Sequence, residues 1–274
     1  MKKDVHDTGN GPVSGTQTIQ RAAHILRLLA AHNRVGMRLA DIYREATLER
    51  STAHRILQGL VAEQMVTQHP ASKRYFLGSS IYEMGLAAAP RFQLRDVCHP
   101  HIKALAEKSG DTVFLTVRSG FNGICVDRLE GSFPIRAFVL EVGRPRPLNI
   151  GGGNVAILST LSDEEIHRIC QANETRVAEA YPGYSDRVLW DKIRQVRTTG
   201  FLINRVLEVP SVRTVAVPVH ALHEAHAVAA ISISAVASRM QNDRIEKLAK
   251  LLLDTVNQIK QDIATMRGEV VPPA

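Results

Sequence analysis

The period of the hydrophobic positions changes along the chain. Over 18–31, Ile19, Ala22, Leu26 and Leu29 recur at helical spacing, with Thr18 placed as an N-cap. Asn33 and Gly36 break that pattern. Leu39, Ile42, Tyr43 and Ala46 then fall at i, i+3, i+4 and i+7, which predicts a short amphipathic helix over 39–46. After a brief turn, a third helix is expected through about residue 64, with Ala53, Ile56, Leu57 and Leu60 on one face. Two short extended runs, 66–69 and 74–77, flank a Pro-containing turn and read as a β-hairpin. Three helices followed by a hairpin predict a winged helix-turn-helix over 17–78.

Residues 79–94 continue in helical period through Ile81, Met84 and Leu86 and are expected to form a linker helix. From residue 95 to 268 the pattern is that of a second, α+β domain. A helix over 95–108 precedes strands at 112–118, 124–130 and 134–140 and a loop over 142–149. The unusual segment IGGGNVAILSTL follows at 150–161. Helices are expected near 162–172 and 187–199, then three strands (201–206, 214–220 and 227–234). A last helix over 239–266 carries Ile245, Leu248, Leu252, Val256 and Ile259 on one face. Residues 1–16, rich in Gly, Asp, Asn and Thr, read as a disordered tail.

Composition narrows the class. The 274 residues suit two domains, and 45% hydrophobic with 22% charged residues suits globular cores. The net charge is +7, of which +4 falls within residues 1–90, so the basic excess is denser where the winged helix is predicted. Cys98, Cys125 and Cys170 lie far apart and form no CxxC pair, which fits a reducing cytoplasm. The N-terminus lacks the apolar core of a secretory signal, and no apolar run is long enough to span a membrane.

The third predicted helix turns Ser51, Arg55 and Gln58 away from its apolar face, with Thr52 and His54 on the flanks. Such side chains reach phosphates and base edges when a helix lies in the major groove, although a polar face can be merely solvated. Lys73 and Arg74 on the hairpin could meet phosphates. In the second domain, the glycines at 151–153 either let a ligand approach a helix N-terminus or let the helix pack tightly on a sheet. In the first case a carboxylate suits the site, with Arg136, Arg144 and Arg146 as supporting cations. Ser232 and Ser234 share one face of a strand. Catalytic signatures are weak. The chain has no GxSxG, GxGxxG or GxxxxGK[ST]. His220, His223 and His226 fall beside a predicted turn, and Cys98, His99 and His101 read as a surface cluster. No metal or cofactor is expected.

The stretch 39–78 resembles the winged helix of the IclR family of bacterial regulators. The resemblance rests on Leu39-Ala40, the Ser51-Thr52-x-His54-Arg55-x-Leu57 core, Leu60, Val66, Pro70, Tyr75, Leu77 and Gly78. Thr47 and Lys73 stand where the family often has glycine, and Glu49 where it often has a neutral residue. The order of elements over 95–266 is similar to the family's GAF-like sensor. It matches in VGRPRPLN, Gly200-Phe201, Val212-Arg213, 216–219 and 229–234.

The resemblance implies a ligand-controlled transcription regulator working as a dimer or dimer of dimers on double-stranded DNA. Arg50, Ser51, Thr52, His54, Arg55 and Gln58 would read the operator, with Lys73, Arg74 and Tyr75 on the wing. A small organic acid, aromatic ones included, would be held by Asn149, Gly151, Gly152, Gly153, Asn154, Asn204, Thr214, Ser232 and Ser234. The family more often carries a His/Thr/Ala-type sequence where this chain has GGGN, which sets its pocket chemistry apart. A DNA-binding protein without a ligand and an enzyme built on the second domain are the competing readings.

Overall fold

A computed structural model describes residues 16–88, 94–135, 137, 139–221 and 224–266 of the chain. The tail to residue 15, Arg136, His223 and part of the linker segment lie outside the described residues. The chain forms two units, one ending at Arg91 and the other beginning at Phe92.

In the first unit, α1 (Gln17–Ala31), α2 (Leu39–Glu45) and α3 (Arg50–Ala62) precede a hairpin of β1 (Val66–Gln68) and β2 (Tyr75–Leu77). Ile25, Leu29, Ile42, Leu57 and Leu60 meet Val66 and Tyr75 in one core. On α1, Ala22, Leu26 and Leu29 pack into this core as expected and Ile25 joins them, whereas Ile19, in the first turn of the helix, is 70% exposed. A backbone bridge between Met37 and Tyr75 adds a third short extended segment beside the hairpin. The helix α4 (Ser79–Ala88) follows and buries none of its residues within this unit.

Three non-glycine residues of this unit, Thr47, Gln64 and Lys73, have left-handed backbone, Gln64 just beyond α3 with φ +55°. Thr47, between α2 and α3, has φ +54°, and Lys73 in the hairpin turn has φ +57°. Both are left-handed conformations that suit glycine, and Thr47 is β-branched, so its cost is the higher. Thr47 and Lys73 are the two positions where the resemblance noted above implies glycine, and their backbone has glycine-like geometry.

The second unit is built on a six-stranded antiparallel sheet in the order β5-β4-β3-β8-β7-β6. Its strands are β3 (Thr112–Ser119), β4 (Asn122–Leu129), β5 (Pro145–Pro147), β6 (Leu202–Arg205), β7 (Val212–His220) and β8 (Ala227–Val236). The two faces differ in kind. Val113, Leu115, Val215, Val217, Val219, Ile231 and Ile233 point to one side and pack against α5 (Leu94–Ser109) and α9 (Asn242–Met266). The alternate positions carry Thr116, Thr214, Ala216, Ala230, Ser232 and Ser234, small and mostly polar. On that side lie α6 (Gly152–Leu158), α7 (Asp163–Ala180) and α8 (Asp186–Thr199). The Ser162 hydroxyl accepts from the Glu165 amide and caps α7, which runs eight residues beyond the expected end at 172. Asp111, almost fully buried, accepts from Arg239 at 3.0 Å and Arg244 at 2.6 Å, pinning the start of β3 to the entry of α9.

One predicted strand is absent. The described residues within 134–140 are irregular, and Ala137 and Val139 are instead spent in a small cluster with Val206 and Val212. The edge strand comes from the expected loop, at Pro145–Pro147, paired with β4. Prolines are tolerated there because an edge strand has one side that needs no N–H donor.

Thr47→Gly removes the strain of a β-branched residue in a left-handed turn but adds glycine's unfolded-state entropy. The net stabilisation expected is about 1 kcal/mol. Amide hydrogen exchange in α2 and α3 of the full chain should slow roughly fivefold; unchanged or faster exchange would contradict the strain argument.

Candidate functional site

The outward face of α3 presents Arg50, Ser51, His54, Arg55 and Gln58 to solvent, with Thr52 half-buried. The opposite face holds Ala53, Ile56, Leu57 and Leu60 in the core. Lys73 is exposed on the wing. Arg74 is not free: its guanidinium donates to the Gly36 carbonyl at 2.8 Å and ties the wing to the turn after α1. Tyr75 departs from its expected place on the DNA surface. It is 5% exposed, its ring belongs to the core, and burial raises its pKa. The strand alternation that puts Phe76 outward turns Tyr75 inward.

In the second unit, Asn149, Gly151, Gly152, Gly153, Asn154, Asn204, Thr214, Ser232 and Ser234 all line one narrow cleft with an internal volume of about 40 Å3. The glycines account for much of its shape. Gly151 has φ +91°, which starts α6 in a turn that other residues would strain. A Cβ on Gly152 would come within 2.9 Å of the Thr214 methyl, and one on Gly153 within 3.0 Å of the Thr116 hydroxyl. Tight packing of helix on sheet is therefore a task of Gly152 and Gly153. Asn154 is similarly occupied: its amide donates to the Pro147 carbonyl at 3.0 Å and lies against Gly123. The Thr214 and Ser234 hydroxyls bond to each other at 2.8 Å.

Four charged residues line the cleft, Arg146, Lys192, Arg205 and Glu208; Arg205 is exposed at its rim, and the sequence did not single out Lys192. Lys192 of α8 lines it, donates to Asn204 Oδ1 at 2.7 Å, and has no carboxylate partner among the described residues. Burial lowers its pKa. Of the anticipated cations, Arg136 lies outside the described residues, and Arg146 lines the cleft with its charge already paired. Arg146 is paired with Glu208 and lies over the Tyr181 ring, and Arg144 pairs with exposed Glu141. A signal for Lys192 exists: Ser185, Val188 and Lys192 recur at helical spacing along the edge of the Leu189–Ile193–Val196 stripe. Asn149 donates to Tyr184 Oη at 3.2 Å, and Tyr184 donates to Asp186 at 2.6 Å; burial and this carboxylate raise the Tyr184 pKa.

The histidines beside Cys98 are both engaged. His99 meets buried Asp127 at 2.7 Å, and His101 meets Asp262 at 2.7 Å. Among the described residues, no three His, Cys, Asp or Glu side chains converge as metal ligands, and no helix is long and apolar enough to cross a membrane.

Comparison with known proteins decides the family. Residues 18–70 match the IclR helix-turn-helix domain, and residues 86–261 match the C-terminal domain of the bacterial transcriptional regulator IclR. The chain belongs to the IclR family. It is a DNA-binding transcriptional regulator with an IclR-type effector domain. It is 24% identical over 236 residues to the HTH-type transcriptional regulator XynR of Escherichia coli, covering 86% of this chain and 92% of that one. To the acetate operon repressor of Salmonella typhimurium it is 26% identical over 251 residues, 90% of each chain. The crystal structure of an IclR regulator from Silicibacter sp. TM1040 shares the fold with a TM-score of 0.77 at 19% identity, over 93% of this chain and 98% of that one. An IclR homologue from Microbacterium hydrocarbonoxydans, complexed with 4-hydroxybenzoate, gives a TM-score of 0.72 at 19% identity, covering 91% and 100%.

The packing of this IclR-type sensor makes a reciprocal prediction. Gly152→Ala should destabilise the second unit by about 1–3 kcal/mol through overpacking against Thr214. Adding Thr214→Ser, which deletes the opposing methyl and keeps the hydroxyl, should restore most of that loss. Denaturation followed by Trp190 fluorescence reads both steps, and failure of the second change to rescue the first would place the strain elsewhere.

Proposed function

We propose that the second unit is a receptor for a small organic acid, aromatic ones included, and that occupancy changes how the winged helix holds its operator. The observation that carries this reading is the half-buried ammonium of Lys192, without a carboxylate partner among the described residues, in a cleft lined by both polar and aliphatic side chains. A ligand carboxylate would supply the missing charge. The 4-hydroxybenzoate held by the Microbacterium homologue is an acid of the proposed kind. To act as an effector, the acid must bind the DNA-competent and incompetent forms unequally.

Arg50, Ser51, Thr52, His54, Arg55 and Gln58 are the proposed reading face, with Lys73 meeting phosphate. The protein is proposed to work in the cytoplasm as a homodimer or dimer of dimers on a pseudo-palindromic site. No residue of α4 is fully buried within its own unit, and Tyr82, Met84 and Leu86 stand exposed, which suits cover by a second copy. The reading is one of binding and not catalysis. Burial pushes the Cys98 and Cys125 thiols up to about 12, which makes them poor nucleophiles, and His99 and His101 are held in carboxylate pairs.

Fluorescence anisotropy of labelled DNA from the gene's own upstream region, titrated with the protein and a panel of organic acids, tests the scheme. One acid should shift the binding curve, and affinity should fall steeply with salt as phosphate counterions are displaced. Arg55→Ala should weaken operator binding by about 1–3 kcal/mol without unfolding the chain. Normal binding by that variant would remove Arg55 from the reading face. Specific DNA binding that no acid alters would refute the receptor assignment.

A further inference from the structure

A second, roomier cavity of about 500 Å3 adjoins the cleft and is lined by a different set of charges. Val139, Leu140, Arg146 and Glu208 line both spaces. Arg144, Arg176 and Tyr181 line only the outer cavity, whereas Lys192, Asn204 and Thr214 line only the cleft. Around the outer space the arginines Arg144, Arg146 and Arg176 face the carboxylates Glu141 and Glu208. Their pairing is uneven. Arg146 takes Glu208. Arg144 reaches Glu141 at 3.8 Å with both side chains more than half exposed, a contact worth little in water. Arg176 has no carboxylate partner among the described residues.

The surroundings of Arg176 orient it without neutralising it. Its Nη2 donates to Asn122 Oδ1 and, at 2.9 Å, to Asn173 Oδ1. Asn173 is buried and itself fixed, donating to the Phe121 carbonyl at 2.9 Å. Both acceptors are neutral amides, and no acceptor among the described residues takes Nε or Nη1. Partial burial lowers the Arg176 pKa, as it does for a cation without a counter-ion. The C-terminal end of α7 favours cations in general, but no backbone carbonyl among the described residues takes a hydrogen bond from this one. Tyr181 brings a further donor. Its hydroxyl accepts from Arg146 Nε at 3.3 Å, and because a guanidinium only donates, the phenolic proton is left over. No acceptor among the described residues takes that proton either.

We propose that the outer cavity is a second anion site, distinct from the cleft, which takes a doubly charged oxyanion on Arg176, the Tyr181 hydroxyl and Arg144. A phosphate monoester and a dicarboxylate share that chemistry. The planar guanidinium of Arg176 presents paired donors that match two oxygens of either group. With Glu208 neutralised by Arg146, the net charge left to a ligand is that of Arg144 and Arg176 against the exposed Glu141, which a dianion can displace from its loose contact. The site is independent of the organic-acid reading of the cleft, which rests on Lys192 and on none of these three residues.

Isothermal titration calorimetry on the full chain, at about pH 8 and constant ionic strength, tests this with two matched pairs. One is methyl phosphate against dimethyl phosphate, the other succinate against succinamate. In at least one pair the dianion should bind at least about tenfold tighter than the monoanion, and the pair that responds names the source. Arg176→Gln should weaken that dianion at least about tenfold, while Lys192→Met should leave it within about twofold. If Arg176→Gln does not fold, Tyr181→Phe serves: it deletes only the phenolic donor and should cost about fivefold. Equal binding of dianion and monoanion in both pairs, no binding of either dianion, or dianion binding that the Arg176 or Tyr181 change leaves intact would overturn the second site. Dianion binding lost in Lys192→Met but not in Arg176→Gln would also overturn it, placing the anion in the cleft and supporting the organic-acid receptor.

Discussion

The second unit depends on the close approach of α6 to one face of its sheet. Helix and sheet ordinarily keep apart by the width of the side chains between them. Here Gly152 and Gly153 supply none, and the strands opposite supply Thr116, Thr214, Ala216, Ser232 and Ser234. All seven residues of α6 are buried as a result. The small polar side chains that make the approach possible continue past the start of the helix, and there they become the floor of the cleft. Packing and recognition share residues because both need a sheet face that is narrow and able to hydrogen-bond.

That sharing explains why the two sheet faces differ. The face toward α5 and α9 is aliphatic and closed, and Asp111 locks its rim through Arg239 and Arg244. The buried Asp127 of β4 is a polar exception on that side, and His99 and Arg95 of α5 satisfy it. On the other face α7 and α8 cover the sheet with Ile166, Ile169, Leu189 and Ile193, but the cover stops short of Asn204, Thr214 and Ser234. A closed aliphatic layer supplies the stability that allows the opposite layer to remain open and polar.

The electrostatics of the cleft follow from which cations are already satisfied. Arg146 enters on the edge strand and arrives beside Glu208 and Tyr181, so its charge is neutralised locally. Lys192 arrives on α8 opposite a neutral amide. Burial disfavours its charged form, and an incoming anion restores it. In the first unit the same distinction separates Arg74, held by Gly36, from Arg50 and Arg55, which stand free on α3.

The helical periods, the hairpin and the alternation of β7 and β8 were legible in the sequence, because burial on one face imposes a local period of 3.6 or 2. The same regularity made α3 divide into a core face and a solvent face, and it kept Ser232 and Ser234 together. The sequence could not distinguish apolar residues that pair in a sheet from those that merely pack, so 134–140 read as a strand and Pro145–Pro147 as a loop. It could not rank Arg144, Arg146 and Lys192 either, since a cation's role depends on whether a carboxylate from a distant segment reaches it. Glu208 and Asn204 stand in the β6 region, and only folding brings one to Arg146 and the other to Lys192. Local periodicity is written in neighbours along the chain; charge pairing is decided by neighbours in space.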